Sequence, residues 1–306
     1  MSRLFLLRVM LACIVAGLTV AAQTPASRTL IAHRGASAYA PEHTLASYRL
    51  AIEQGADYVE QDLAITRDGV LICLHDESLE RTTDVEDVFP ERASLDRATG
   101  RKRWLAADFT LAEIKQLDAG SWFDVTFADE RVPTWEEAVA SVGNAAGLYP
   151  ELKAPALYRA RRVDMGRIFA ESVKRLGLDR TPGGLIVQSF DGDVLRDLAK
   201  ALPAVPRTFL IDVSDGPRWL TSAGLKTVAG FATGIGPSKL LIDQRAELVR
   251  LAHAAGLTVT PYTFTTRGPA TRFGDVRDEM DYYLTTLGVD AVFTDNPDRF
   301  PRNGTR

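Results

Sequence analysis

Cysteine is almost absent from this chain: Cys13 and Cys73 are the only two in 306 residues, so no disulfide framework can hold it together. An excess of positive charge is missing too. Thirty-six Lys and Arg stand against forty Asp and Glu, a formal charge of −4, and without a basic excess there is no sequence-independent pull toward phosphate backbones. Nucleic acid is therefore not an expected partner. The one extended apolar run, VMLACIVAGLTV at residues 9–20, is shorter than the roughly 20 residues that span a bilayer. Internal repeats and low-complexity segments are also lacking. What is present, 46% hydrophobic and 25% charged residues, is the composition of a globular protein with one large core or two modest ones.

The apolar run has the form of a secretory signal. Arg3 and Arg8 accompany its start, and Val20-Ala21-Ala22 places small residues before Gln23, so cleavage after Ala22 is expected, giving a soluble periplasmic or secreted protein with no stable membrane insertion. The alternative is a lipid anchor at Cys13, because Met10-Leu11-Ala12-Cys13 faintly resembles a lipoprotein cleavage box. Either way Cys73 is left without a partner.

Downstream, short apolar runs of strand type fall at 29–33, 57–65, 147–151, 184–189, 206–211, 228–233, 257–263 and 289–294. Between them, helical periodicity falls at 44–54, 134–143, 157–176, 191–200, 217–223, 239–255 and 275–287, several stretches opened by Thr, Ser or Asp caps. This alternation predicts an α/β fold with a parallel sheet and helical crossovers. Eight units in a chain near the ~250 residues typical of that fold predict a closed (β/α)8 TIM barrel, with a doubly wound open sheet as the alternative. Residues 70–75, VLICLH, break the rhythm and follow Thr66-Arg67-Asp68-Gly69, a turn of the Asp-Gly kind. They predict a hairpin which, centred between Arg67 and Asp68, sets His75 across from Glu60. The charged, turn-rich stretch 77–131, with one amphipathic helix near 110–118, reads as a lid-like insertion.

Ionisable residues cluster at the predicted strand ends: His33 and Arg34 on the first, Glu60 and Asp62 on the second, His75 and Asp76 on the hairpin, Glu151 and Lys153 on the third. In a parallel barrel all strands end at one face, so these groups should converge. Glu60 and Asp62, two apart on a strand, point the same way, and paired carboxylates call for a cation. Oxygen ligands from Glu60, Asp62 and Glu151 suit Ca2+ or Mg2+ better than zinc. His43 and His253 lack such company; His43 lies in the first loop, close enough to approach the site without acting in it.

The ordered set His33-Arg34-Gly35-Ala36-Ser37, Pro41-Glu42-His43-Thr44, Glu60-Gln61-Asp62, His75-Asp76, Glu151-Leu152-Lys153 and Phe293-Thr294-Asp295-Asn296-Pro297 resembles the glycerophosphodiester phosphodiesterase family, most closely its secreted, calcium-dependent bacterial branch. The resemblance implies a TIM barrel with an insertion after the second-strand hairpin, and metal-dependent hydrolysis of a small-molecule glycerophosphodiester to sn-glycerol 3-phosphate and an alcohol. It implies Glu60, Asp62 and Glu151 as metal ligands, with Ca2+ ahead of Mg2+, His33 and His75 as general acid and base, and Arg34 and Lys153 on the phosphate. The nucleophile is either a metal-activated water or the glycerol 2-hydroxyl. The alternatives are a phospholipase-type enzyme acting on intact lipids and a non-catalytic phospho-ligand binding protein.

Overall fold

The computed structural model describes residues 28–302 apart from Pro182 and Ala270; the expected signal segment, 1–22, and the alternative anchor at Cys13 lie outside the described residues. Eight parallel strands form the barrel: β1 (Thr29–Ala32), β2 (Tyr58–Ile65), β6 (Gly147–Leu152), β7 (Val187–Ser189), β8 (Arg207–Ile211), β9 (Gly234–Pro237), β10 (Thr258–Val259) and β11 (Ala291–Thr294). The remaining three, β3 (Leu71–Cys73), β4 (Ser94–Leu95) and β5 (Lys102–Arg103), lie outside this ring. Neighbours run β10-β9-β8-β7-β6-β2-β1-β11. The last gap is bridged by the Phe264 N–H on the Phe293 carbonyl at 2.9 Å and the Asp290 N–H on the Val259 carbonyl at 3.0 Å. The open-sheet alternative is thereby set aside.

Alternation along the strands sorts side chains into two layers. Leu30, Ala32, Val59, Leu63, Leu148, Leu152 and Val292 face outward into the main core beneath the helices, while Ile31, Tyr149, Ala291 and Phe293 fill the barrel interior. The same period carries Glu60 and Asp62, Glu151 and Lys153, and His33 inward at the upper end.

The expected strand at 228–233 is wrong: Ser222–Val228 is a helix capped by Thr221, and the strand is Gly234–Pro237. Val228, Phe231 and Ala232 are buried because they close that helix against the core. The true strand has little β-propensity, and its glycines answer to close packing, since a Cβ at Gly234 or Gly236 would collide with the side chains of Thr258 or Leu210. The long helical stretches break as well. The 157–176 stretch is Pro155–Ala160 and Met165–Leu176, with Arg162 at φ 61° between them, and 239–255 is Lys239–Gln244 and Glu247–Ala254.

The hairpin forms one residue out of the expected register. Leu63 pairs with Cys73 and Ile65 with Leu71, because the loop has three residues and ends on Gly69 at φ 85°. His75 consequently lies beyond the last pair instead of opposite Glu60. The insertion has a core of its own, in which Leu79, Val85, Trp104, Phe109, Ile114 and Leu117 pack on Ile72 and Leu74 of the hairpin. The helix expected near 110–118 is only Leu111–Ile114, opened by a Thr110–Glu113 capping box, and a second short helix is Val85–Val88.

Candidate functional site

All seven residues to which the resemblance assigns a role, His33, Arg34, Glu60, Asp62, His75, Glu151 and Lys153, line one cavity of about 260 Å3. It opens where the strands end, at the face on which such barrels carry their chemistry. The turn after β1 is built for close approach. Arg34 adopts φ 57° and Gly35 φ 87°, and a side chain at Gly35 would run into Ser47. The turn aims the Arg34 backbone N–H at Glu60 Oε2, 2.7 Å away.

The two histidines are held alike. His33 Nδ1 lies 2.7 Å from Asp295 Oδ1, and His75 Nδ1 lies 2.6 Å from Asp76 Oδ1. Asp295 stays below the usual carboxylate range: burial opposes this, but the His33 hydrogen bond and charge prevail. Asp76 is likewise held down, against burial, by His75 and Arg81. An ionised carboxylate only accepts, so in both pairs Nδ1 carries the hydrogen and Nε2 is left as the ring's basic atom. The sequence reading gave no role to either aspartate. Asp76 adjoins its histidine in the chain, whereas Asp295 is 262 residues from His33 and no local pattern joins them.

Glu60, Asp62 and Glu151 are all buried, and Asp62 and Glu151 are cross-strand partners. Burial and the neighbouring Asp62 charge push Glu60 well above the ordinary carboxylate range. Burial likewise lifts Glu151 to about 8, with Lys153 opposing and Asp62 assisting. Asp62 sits well below that range: burial would raise it, but Lys153, His43 and Arg34 outweigh burial. Lys153 Nζ is 3.0 Å from Glu151 Oε1 and 3.7 Å from Asp62 Oδ1. Three buried carboxylates thus share two cations, Arg34 and Lys153, and crowd one another's charge. Oxygen donors with a deficit of positive charge fit a hard divalent cation.

His43 is a buried member of the site, which its sequence context had not disclosed. A ring nitrogen of His43, with carboxylate oxygens of Glu60 and Asp62, forms a group of potential donors lying within 4.8 Å of one another, and Nε2 lies 2.9 Å from Asp62 Oδ2. Glu151 lines the same cavity outside that group. The cavity is also lined by Phe190, Leu210, Tyr262 and Phe293, with Lys153 Nζ over the Phe190 ring at 5.9 Å and Gln188 donating to Glu60 Oε1 at 3.4 Å. Apart from Lys153, these come from the later strands, where the sequence shows only apolar runs.

Comparison with known proteins bears on the family and the fold. Residues 33–299 match the Glycerophosphoryl diester phosphodiesterase family. A glycerophosphodiester phosphodiesterase of Bacillus subtilis is 35% identical over 88% of this chain and 84% of its own, and one of Haemophilus influenzae is 30% identical over 90% and 89%. Among solved structures, an Oleispira antarctica phosphodiesterase in complex with the product sn-glycerol-3-phosphate aligns with a TM-score of 0.68 at 29% identity, covering 89% of this chain and 94% of that one. With its barrel, its strand-end histidines and a match that runs through both, the chain belongs to the glycerophosphoryl diester phosphodiesterase family.

Proposed function

We propose that this protein hydrolyses glycerophosphodiesters to sn-glycerol 3-phosphate and an alcohol, using His33 and His75 for proton transfer and a divalent cation, Ca2+ ahead of Mg2+, at Glu60, Asp62 and Glu151. The observation that carries this reading is the pair of aspartate-backed histidines in one cavity with Arg34 and Lys153. One imidazole takes the proton of the nucleophile, either water or the glycerol 2-hydroxyl, and the other returns one to the leaving oxygen; in the second case a water then opens the cyclic phosphate. Arg34 and Lys153 face the phosphoryl oxygens, on which negative charge grows as the bond breaks, and so favour the transition state over the ground state. A cation at the carboxylates would add positive charge to the same oxygens. Phe190, Leu210, Tyr262 and Phe293 offer the organic part of the substrate apolar surface within the same cavity.

The test is release of glycerol 3-phosphate from glycerophosphocholine, glycerophosphoethanolamine and an intact phospholipid, with chelator and with Ca2+ or Mg2+ restored. Hydrolysis of the first two that chelator abolishes and Ca2+ restores supports the reading; cleavage of the intact lipid alone replaces it with a phospholipase. We also propose export to the periplasm or medium, on the strength of the N-terminal sequence. Among the described residues, no helix is long and apolar enough to cross a membrane. Osmotic-shock fractionation with N-terminal sequencing decides between a new terminus at Gln23 and a lipidated Cys13.

A further inference from the structure

His43 is 3% exposed, and both of its ring nitrogens are engaged. Nε2 lies 2.9 Å from Asp62 Oδ2, and Nδ1 lies 3.0 Å from the hydroxyl of Tyr48, a fully buried residue of the helix Leu45–Glu53. The Tyr48 ring meets the imidazole edge-on at 6.3 Å. The backbone at His43 takes φ 60°, and its N–H donates to the Arg34 carbonyl at 3.1 Å. A left-handed conformation is unfavourable for a non-glycine residue, so the ring is held in place by its surroundings.

An imidazole ligates a metal through a nitrogen that has a lone pair. The Asp62 carboxylate has no hydrogen to give, so the hydrogen between it and His43 sits on Nε2. The other nitrogen faces Tyr48, away from the carboxylates. His43 therefore lies near enough to a cation site to be counted in it, yet offers it no electron pair. Its effect is on Asp62. Oδ2 takes the His43 N–H and lies 3.3 Å from Arg34 Nε, while Oδ1 faces Lys153 beside Glu151.

We propose that His43 is a positioning residue, not a metal ligand: its Nε2–H, fixed by Tyr48, pins Asp62 Oδ2 and leaves Oδ1 as the oxygen presented to the cation. This rests on the metal-binding reading of Glu60, Asp62 and Glu151. Hydrogen bonds that orient ligating carboxylates are typically worth 10- to 100-fold in metal affinity.

The experiment is calorimetric titration of Ca2+ into the chelator-treated protein, together with kcat, KM and thermal denaturation. The variants are His43→Leu, which fills the space without a donor, His43→Gln, which keeps an N–H for Asp62, and Tyr48→Phe. The expected result is Ca2+ affinity reduced 10- to 100-fold in His43→Leu, recovered to within a few-fold in His43→Gln, and reduced several-fold in Tyr48→Phe, with kcat falling in the same order. Histidine 15N spectra of the wild type should show hydrogen on Nε2 of His43. Wild-type Ca2+ affinity in His43→Leu overturns the proposal, as does His43→Gln binding as poorly as His43→Leu with its melting temperature preserved, the mark of a true ligand. If His43→Leu does not fold, Tyr48→Phe decides, and unchanged affinity there overturns the proposal. A wild type that takes up no Ca2+ overturns the metal reading itself, and this proposal with it.

Discussion

Arg81 grips Glu42 with both ends of its guanidinium, Nη2 to Oε1 at 2.7 Å and Nη1 to Oε2 at 3.0 Å, while its Nε reaches Asp76 Oδ2 at 2.6 Å. Glu42 Oε1 in turn accepts from Arg34 Nη1 at 3.1 Å. Alternating charges thus run from Asp76 through Arg81 and Glu42 to Arg34, with His75 hydrogen-bonded to Asp76. The first turn of the insertion ties a candidate proton-transfer residue to a candidate phosphate ligand. Replacing all of 77–131 by a linker would therefore cut this chain and uncover Ile72 and Leu74, so point substitutions are the sharper probe.

Arg81→Lys should lower kcat by roughly tenfold, because an ammonium cannot hold Glu42 and Asp76 at once in fork geometry. Steady-state kinetics checks this; unchanged kcat would show that the two anchors are independent of Arg81.

Glu42 should make stability depend on acid pH. Burial alone would raise its carboxyl, but Arg81, Arg34 and His43 hold it at about 2, against an ordinary 4.5. A folded-state pKa below the unfolded one stabilises fully above about pH 4.5, and the gain is lost as pH falls toward 2. Glu42→Gln should cost up to about 3 kcal/mol at pH 7, a deficit that shrinks below pH 4.5. Denaturant titrations at pH 7, 4 and 3 measure it, and a deficit constant with pH would rule out the charged network as its origin.

His33→Ala and His75→Ala should each lose roughly 10²- to 10⁴-fold in turnover while remaining folded. Asp295→Asn and Asp76→Asn should lose as much, up to about 10⁴-fold, because an amide that donates to Nδ1 leaves the hydrogen on Nε2 and removes the ring's basic atom. Near-normal kcat in either alanine variant would remove that histidine from proton transfer.

Glu60→Gln, Asp62→Asn and Glu151→Gln should each require more metal for the same rate, with activity partly restored as Ca2+ is raised. Losses that no added cation relieves would assign the carboxylate a direct chemical role.

Phe109→Ala should destabilise by about 3–5 kcal/mol, because Phe109 is fully buried in the insertion's core beside Phe89, with Arg92 over its ring at 4.5 Å. Loss of thermal stability with a metal affinity like wild type is the expected pattern.

The strand–helix rhythm, the inward alternation of Glu60 with Asp62 and of Glu151 with Lys153, and the convergence of seven ionisable residues were legible in the chain, because strand periodicity and barrel topology together dictate which side chains meet. Local pattern failed where packing overrode propensity. The Gly234–Pro237 strand is written in glycines that a propensity scale rejects, and the 228–233 run is apolar because a helix end buries there. Aspartate partners at Asp295, the burial of His43 against Asp62 and Tyr48, and the Arg81 bridge join residues from 5 to 262 positions apart. His33 meets Asp295 because the first and last strands pair, His43 meets Asp62 across the first loop, and Arg81 meets Glu42 because the insertion folds back, so the tertiary structure, not the chain pattern, decided how the site's charges are paired.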